Sequence, residues 1–184
     1  MGGLWLVLKP LPVLALTLWV LGAPRSAYRN RLAVGLALSL AGDVAIERSF
    51  VGGLALFLLA HVAYVSAFLA DAKRLHLVRA LPIAVYAVCV TAFLWGNLGD
   101  LRVAVVAYVI AISAMLWRAA ARVGRSGGPR PGEWAGLAGA ILFALSDTLI
   151  AFDRFHAPVP HARIAIILLY WAGQLGIAAS ARLG

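Results

Sequence analysis

Apolar residues in this chain do not alternate with polar ones. They run on in long blocks, broken by short clusters of Arg, Pro, Gly or Asp. A helix rising about 1.5 Å per residue needs roughly 20 such residues to cross a hydrocarbon core. Seven blocks approach or meet that length: Leu4 to Gly22, Leu32 to Glu47, Val51 to Ala70, Ala80 to Gly96, Leu101 to Ala119, Trp134 to Phe152 and Ala162 to Ala181. The pattern predicts an all-α, polytopic membrane bundle of about seven transmembrane helices. The connections are too short to hold a soluble domain. The longest, ARVGRSGGPRPGE from Ala121 to Glu133, has the Gly, Pro and Arg content of a polar loop. Residues 1–184 are therefore expected to form a single integral-membrane helical domain. The first block lacks a basic start, contains LKPLP, and is longer than the apolar core of a signal peptide, so it reads as a helix of the mature protein.

Composition agrees with the bilayer reading. Of 184 residues, 64% are apolar and 12% charged, and the mean hydropathy of +0.95 is far above that of a soluble domain. A net charge of +9 would suggest nucleic acid as a partner of a soluble protein. Here the basic residues fall mostly in alternate loops. Arg25, Arg29 and Arg31 lie in the first loop, Lys73, Arg74 and Arg79 in the third, Arg118, Arg122, Arg125 and Arg130 around the fifth, and Arg182 at the end. The other loops carry only Arg48, Arg102, Arg154 and Arg163, while Lys9 sits inside the first block. This bias is the positive-inside signature, with the N-terminus outside and the C-terminus cytoplasmic. It requires no nucleic-acid partner. The bacterial plasma (inner) membrane is the expected location. Cys89 is the one cysteine, so no internal disulfide can form.

Given that orientation, the polar residues inside the blocks can be placed by depth. Asp43, Asp147, Lys9 and Tyr108 come out roughly 8–10 Å below the outer end of their helices, Tyr170 and His61 at about 12–15 Å, and Gln174 and Tyr64 somewhat deeper. Helices distant in the chain thus share one polar layer, as they would around a common cavity. His61 and Tyr64, Tyr170 and Gln174, and Ser39 and Asp43 are each three or four residues apart, so each pair shares a helix face. Ionisable groups at such depth are costly and default to function. Each also has a plainer reading. An aspartate can pair with Lys9 or tie helices together, Lys9 can snorkel to the interface, His61 can be a packing residue, and the tyrosines can be bundle hydrogen-bonders. Gly35, Gly42, Gly53, Gly136, Gly139 and Gly173 suit close helix approach.

Five segments in order carry a family resemblance: LKPLP at Leu8 to Pro12, SLAGDVAI at Ser39 to Ile46, GLALFLLAHVAYVSAF at Gly53 to Phe68, GAILFALSDTLIAF at Gly139 to Phe152, and YWAGQ at Tyr170 to Gln174. Together they resemble the YhhN-like lysoplasmalogenase family of multi-span membrane proteins, over nearly the whole chain. Members of that family usually have eight spans, one of them before the Lys-Pro span in which this chain almost begins. The resemblance implies hydrolysis of the vinyl ether bond of a lysoplasmalogen, giving a fatty aldehyde and glycerophosphoethanolamine or glycerophosphocholine. It implies Asp43 and Asp147 as the catalytic pair, one acid and one base. Lys9, His61, Tyr64, Tyr108, Ser146, Tyr170 and Gln174 would then be substrate-binding. The resemblance implies a lysophospholipid substrate and membrane lipids as partners, and it calls for neither a metal nor an organic cofactor.

Two other readings stand beside this one. A zinc-dependent hydrolase resembling the alkaline ceramidases would gather His61, Asp147, His156 and His161 around a metal. A proton-coupled transporter would use the same intramembrane aspartates, lysine and histidine, although the two halves of the chain show no internal symmetry.

Overall fold

The computed structural model describes residues 8–125, 127–128 and 130–183. Among these residues seven α-helices follow in order: α1 Leu11–Leu21, α2 Ala27–Ala45, α3 Phe50–Asp71, α4 Ala80–Leu94, α5 Arg102–Arg122, α6 Pro131–Phe155 and α7 Ala162–Ala179. Short 3-10 turns at Leu77–Arg79, Trp95–Asn97 and Gly99–Leu101 flank α4 and lead into α5. No strand occurs among the described residues. Five stretches are long and apolar enough to cross a bilayer: Phe50–Asp71, Leu77–Asn97, Gly99–Arg122, Pro131–Phe155 and Ala162–Ala179. The protein is a polytopic, all-helical integral membrane protein.

All seven expected blocks are helical, but the first two differ in character from the rest. Described α1 has 11 residues, and residues 4–7 of the expected first span lie outside the described residues. Helix α2 carries Arg29, Arg31 and Asp43 within its 19 residues. It also begins at Ala27, a turn and more before the expected Leu32. Ser26 is the reason: its backbone is extended and its Oγ accepts the Arg29 amide at 3.1 Å, which starts the helix inside the basic loop. Ser49 caps α3 in the same way, on the Gly52 amide at 3.1 Å.

Helices α6 and α7 meet backbone to backbone. A Cβ placed on Gly139 would lie 2.5 Å from the Ile177 nitrogen and 2.6 Å from the Gly173 carbonyl oxygen. Small residues allow this approach where no hydrophobic force drives helices together in lipid. Gly35 of α2 has the same role toward α3, because the Tyr64 ring occupies the space its Cβ would take. Gly139→Leu is expected to destabilise the bundle by at least the upper part of the ~1–3 kcal/mol typical of overpacking, read as a lower melting temperature in detergent. Gly96→Leu, at a glycine with nothing within 4 Å, is the matched control. Equal melting of the two variants would show that the α6–α7 approach is not tight.

Arg79, Arg118, Arg122 and Arg125 converge at one end of the bundle. Arg122, 1% exposed, pairs with Asp71 at 2.6 Å and lies over the rings of Tyr28 and Phe68. Arg125 joins Asp71 to Glu133. Arg118 donates to the carbonyls of Ala72 and Arg74 just past α3, and Arg79 to those of Ala120 and Val123 at the end of α5. These arginines thereby tie the ends of α3 and α5 to the loop that leads to α4. Lys9, Asp43, Asp147 and Tyr170 lie toward the opposite end. Helix α4 is the least embedded of the seven, with Leu94 its one buried residue.

Candidate active site

Asp43 lies near the C-terminal end of α2, 2% exposed, and faces Tyr170 of α7. The Tyr170 hydroxyl donates to Asp43 Oδ2 at 2.7 Å. Lys9, just before α1, places Nζ 3.8 Å from Asp43 Oδ1 and 3.2 Å from Glu47 Oε1. Asp43 Oδ1 is buried without a hydrogen-bond partner. One turn deeper a second row runs parallel. Ser39 Oγ is 3.2 Å from the Tyr64 hydroxyl, which donates to Gln174 Oε1 at 2.8 Å. The helical spacing of Ser39 to Asp43 and of Tyr170 to Gln174 is what stacks the two rows.

Asp147 belongs to a different neighbourhood. Its Oδ2 accepts the Tyr108 hydroxyl of α5 at 2.5 Å. His61 of α3, fully buried, places Nε2 3.8 Å from the same oxygen. Neither imidazole nitrogen completes a hydrogen bond. Asp147 and Tyr108 stand in the wall of a cavity of about 100 Å³ lined by residues of α3, α4, α5 and α6. The rest of that wall is mostly apolar. Tyr86 and Thr148, joined by a 2.9 Å hydrogen bond, add a second polar point.

Aromatic rings separate the two carboxylates. Phe57 lines the Asp147 cavity and also meets Tyr170, with ring centroids 5.8 Å apart. Phe143 touches Tyr170 at 5.3 Å and His61 at 4.8 Å, and His61 touches Tyr108 at 5.1 Å. A continuous contact path therefore links Asp43 to Asp147 through Tyr170, Phe143 and His61. The arrangement offers two carboxyls, each bonded by a phenol, on either side of an aromatic partition. One faces an apolar cavity and the other is tied to a lysine. Such a site can move protons at a bond held in the cavity.

A protein-family model described as the YhhN family matches residues 4–181, from before the LKPLP segment to beyond YWAGQ. The chain belongs to the YhhN family. Among its relatives, the lysoplasmalogenase TMEM86B of Homo sapiens is 37% identical over 181 residues, covering 95% of this chain and 74% of the relative. The lysoplasmalogenase TMEM86B of Sus scrofa is 35% identical over 182 residues, with the same coverage of each. A lysoplasmalogenase of Mycobacterium tuberculosis is 36% identical over 145 residues, covering 72% of this chain and 52% of the relative. No solved structure matches the chain.

In this YhhN-family chain, Lys9, Asp43, Tyr64, Tyr170 and Gln174 form one group, and His61, Tyr108 and Asp147 the other. Ser146 joins neither. Its hydroxyl donates to the Ile166 carbonyl of α7 at 2.9 Å, so it ties two helices together. The four histidine-site residues of the zinc reading do not all converge. His61 lies beside Asp147, but the His156 ring packs on Phe93 and Phe152. Among the described residues no three His, Cys, Asp or Glu side chains gather to hold a metal ion. Sequence reasoning missed Glu47, Phe57, Phe143, and the Tyr86–Thr148 pair. Glu47 carried a usable signal, because it follows Asp43 by one helical turn and shares its face.

Proposed function

We propose that this YhhN-family chain is a membrane lysoplasmalogenase. It hydrolyses the vinyl ether bond of a lysoplasmalogen to a fatty aldehyde and glycerophosphoethanolamine or glycerophosphocholine. The observation that carries the reading is a phenol-bonded carboxyl, Asp147, in the wall of a mostly apolar cavity between the helices, in a chain whose relatives bear that enzyme's name.

In this reading Asp147, protonated, gives its proton to the alkene carbon remote from the ether oxygen. The carbon bonded to oxygen becomes an oxocarbenium centre, and water adds to it. The resulting hemiacetal collapses to an aldehyde, its C–O bond to the glycerol breaking as the glycerol oxygen takes a proton. One water is consumed for each bond cleaved. Asp43, ionised beside Lys9, is the base and the counter-charge to the cation. Rotation of Phe57, the ring that both lines the cavity and meets Tyr170, would join the two carboxyls across the reacting bond. Tyr108 orients Asp147, and Tyr170 orients Asp43. Lys9, at the mouth of the site, contacts the phosphate of the headgroup. The protein works as one membrane domain in the plasma membrane, and the basic end of the bundle faces the cytoplasm by the charge bias of the loops.

The test is aldehyde release from a lysoplasmalogen by the purified protein in detergent, before and after chelator treatment. Release at the same rate in both conditions is the expected result. Folded protein that releases no aldehyde from any lysoplasmalogen offered would overturn the reading. A rate lost on chelation and restored by zinc would replace the aspartate chemistry with a metal mechanism.

A further inference from the structure

Helix α4 is held loosely. Leu81, Val85 and Val88 are more than half exposed, and two cavities flank the helix. The inner one is the site cavity with Asp147 and Tyr108. The outer one, about 750 Å³, lies between α4 and α5, and extends from Ala80 and Trp117 at the basic end to Trp95 and Val106 at the other. Three residues line both: Ala87 of α4, and Val109 and Ser113 of α5. The wall between the cavities is therefore made of small side chains on two helices that are only lightly packed together.

Size decides what the outer space is for. The inner cavity, about 100 Å³, is below the roughly 300 Å³ at which pockets begin to enclose a small ligand, while the outer one falls within the usual range of roughly 300–1,000 Å³. A lipid whose vinyl ether reaches Asp147 must extend out of the inner cavity, and the adjoining space is the outer groove. From Val106 to Trp117, α5 rises about 16 Å. That is close to the depth of one leaflet, half of a roughly 30 Å hydrocarbon core. The lining is apolar apart from Thr91, Ser113 and the indoles, and so suits a hydrocarbon chain.

We propose that the hydrocarbon chain of the lysolipid crosses between α4 and α5 at Ala87, Val109 and Ser113 and lies in the outer groove, with the vinyl ether held at Asp147. The α4–α5 gap is then the lateral portal between the bilayer and the site. The assignment rests on the hydrolase reading for the chemistry at Asp147, but a lysolipid seated in the groove is measurable without turnover.

A lysoplasmalogen carrying a diazirine at the end of its alkenyl chain, photolysed on the purified protein, is expected to label α4 and α5 between Ala80 and Trp117. Ala87→Phe is expected to lower kcat/KM for a long-chain substrate at least about tenfold more than for a short, water-soluble vinyl ether. Leu175→Phe, on the exposed face of α7, leaves that ratio at the wild-type value. Label on α1 or α7, or an unchanged chain-length ratio in Ala87→Phe, would overturn the proposal. So would a stable dimer with the groove buried against a second copy. Groove labelling without aldehyde release from wild type would keep the chain site and remove the hydrolase reading.

Discussion

Asp147→Asn is expected to insert and melt like wild type yet release aldehyde roughly 10²–10⁴-fold more slowly, the range that a positioned acid or base contributes. The substitution keeps the shape of the side chain and an oxygen that can accept from Tyr108, which donates at 2.5 Å. It removes the one property the mechanism needs, a proton that can be given to carbon and recovered. Asp147 is also the carboxyl that lines the apolar cavity, so no intervening side chain dilutes the effect. The same assay run against pH makes the result sharper. The residual rate of the variant should rise with solution acidity, because hydronium can replace a missing acid, and the wild-type profile should not follow it. A rate within tenfold of wild type in a well-folded Asp147→Asn protein would remove Asp147 from the chemistry.

Much of the fold could be read in advance because a bilayer imposes so narrow a rule. A helix must satisfy its own backbone within the hydrocarbon, so long apolar blocks can be little else. The start of α2 escaped that rule. Arg29 and Arg31 read as loop residues, yet Ser26 caps a helix that already contains them. Long basic side chains at a helix end can reach polar surroundings from within the helix, so charge alone does not mark the boundary. The loose seating of α4 was not legible either. Its block is as apolar as the others, and mean hydropathy does not say whether an apolar face meets protein or lipid.

The polar layer was legible for a similar reason. Residue position along a helix gives depth almost directly, but Asp43, Tyr64, Tyr170 and Gln174 fall in one group and His61, Tyr108 and Asp147 in another, not around the one common cavity that depth suggested. Depth does not give the neighbour across the bundle. Phe57 precedes His61 by one turn, and Phe143 precedes Asp147 by one turn. In a sequence these are ordinary apolar residues on faces that already carry a polar group. Only the assembled bundle turns them into the partition between two carboxylates. Ser146 shows the converse. It adjoins Asp147 in sequence, but the rotation of about 100° between successive helical residues sends its hydroxyl to Ile166 of α7. Glu47 is exposed just past the end of α2. Its carboxylate also holds Lys9 at 3.2 Å, making a three-charge group with Asp43.

That three-charge group gives the second large effect. Asp43→Asn is expected to lower aldehyde release by about 10²-fold or more, with the Tyr170 hydrogen bond retained by the amide oxygen and the fold intact. A base role for Asp43 and a role in charge balance have different consequences, because Lys9 stands near Asp43 and Glu47 together. Removing the Asp43 charge still leaves Lys9 paired with Glu47. Repositioning of Lys9 alone should therefore be mild, and Lys9→Met should act mainly by raising KM, as expected for a headgroup contact. The double variant Asp43→Asn/Lys9→Met separates the cases. If Asp43 is the base, the double variant is as slow in kcat as Asp43→Asn, since nothing in it restores a proton acceptor. If Asp43 serves only to neutralise Lys9, removing both charges returns kcat toward wild type. The base assignment would then fail, leaving Asp147 to act alone as acid and afterwards as base.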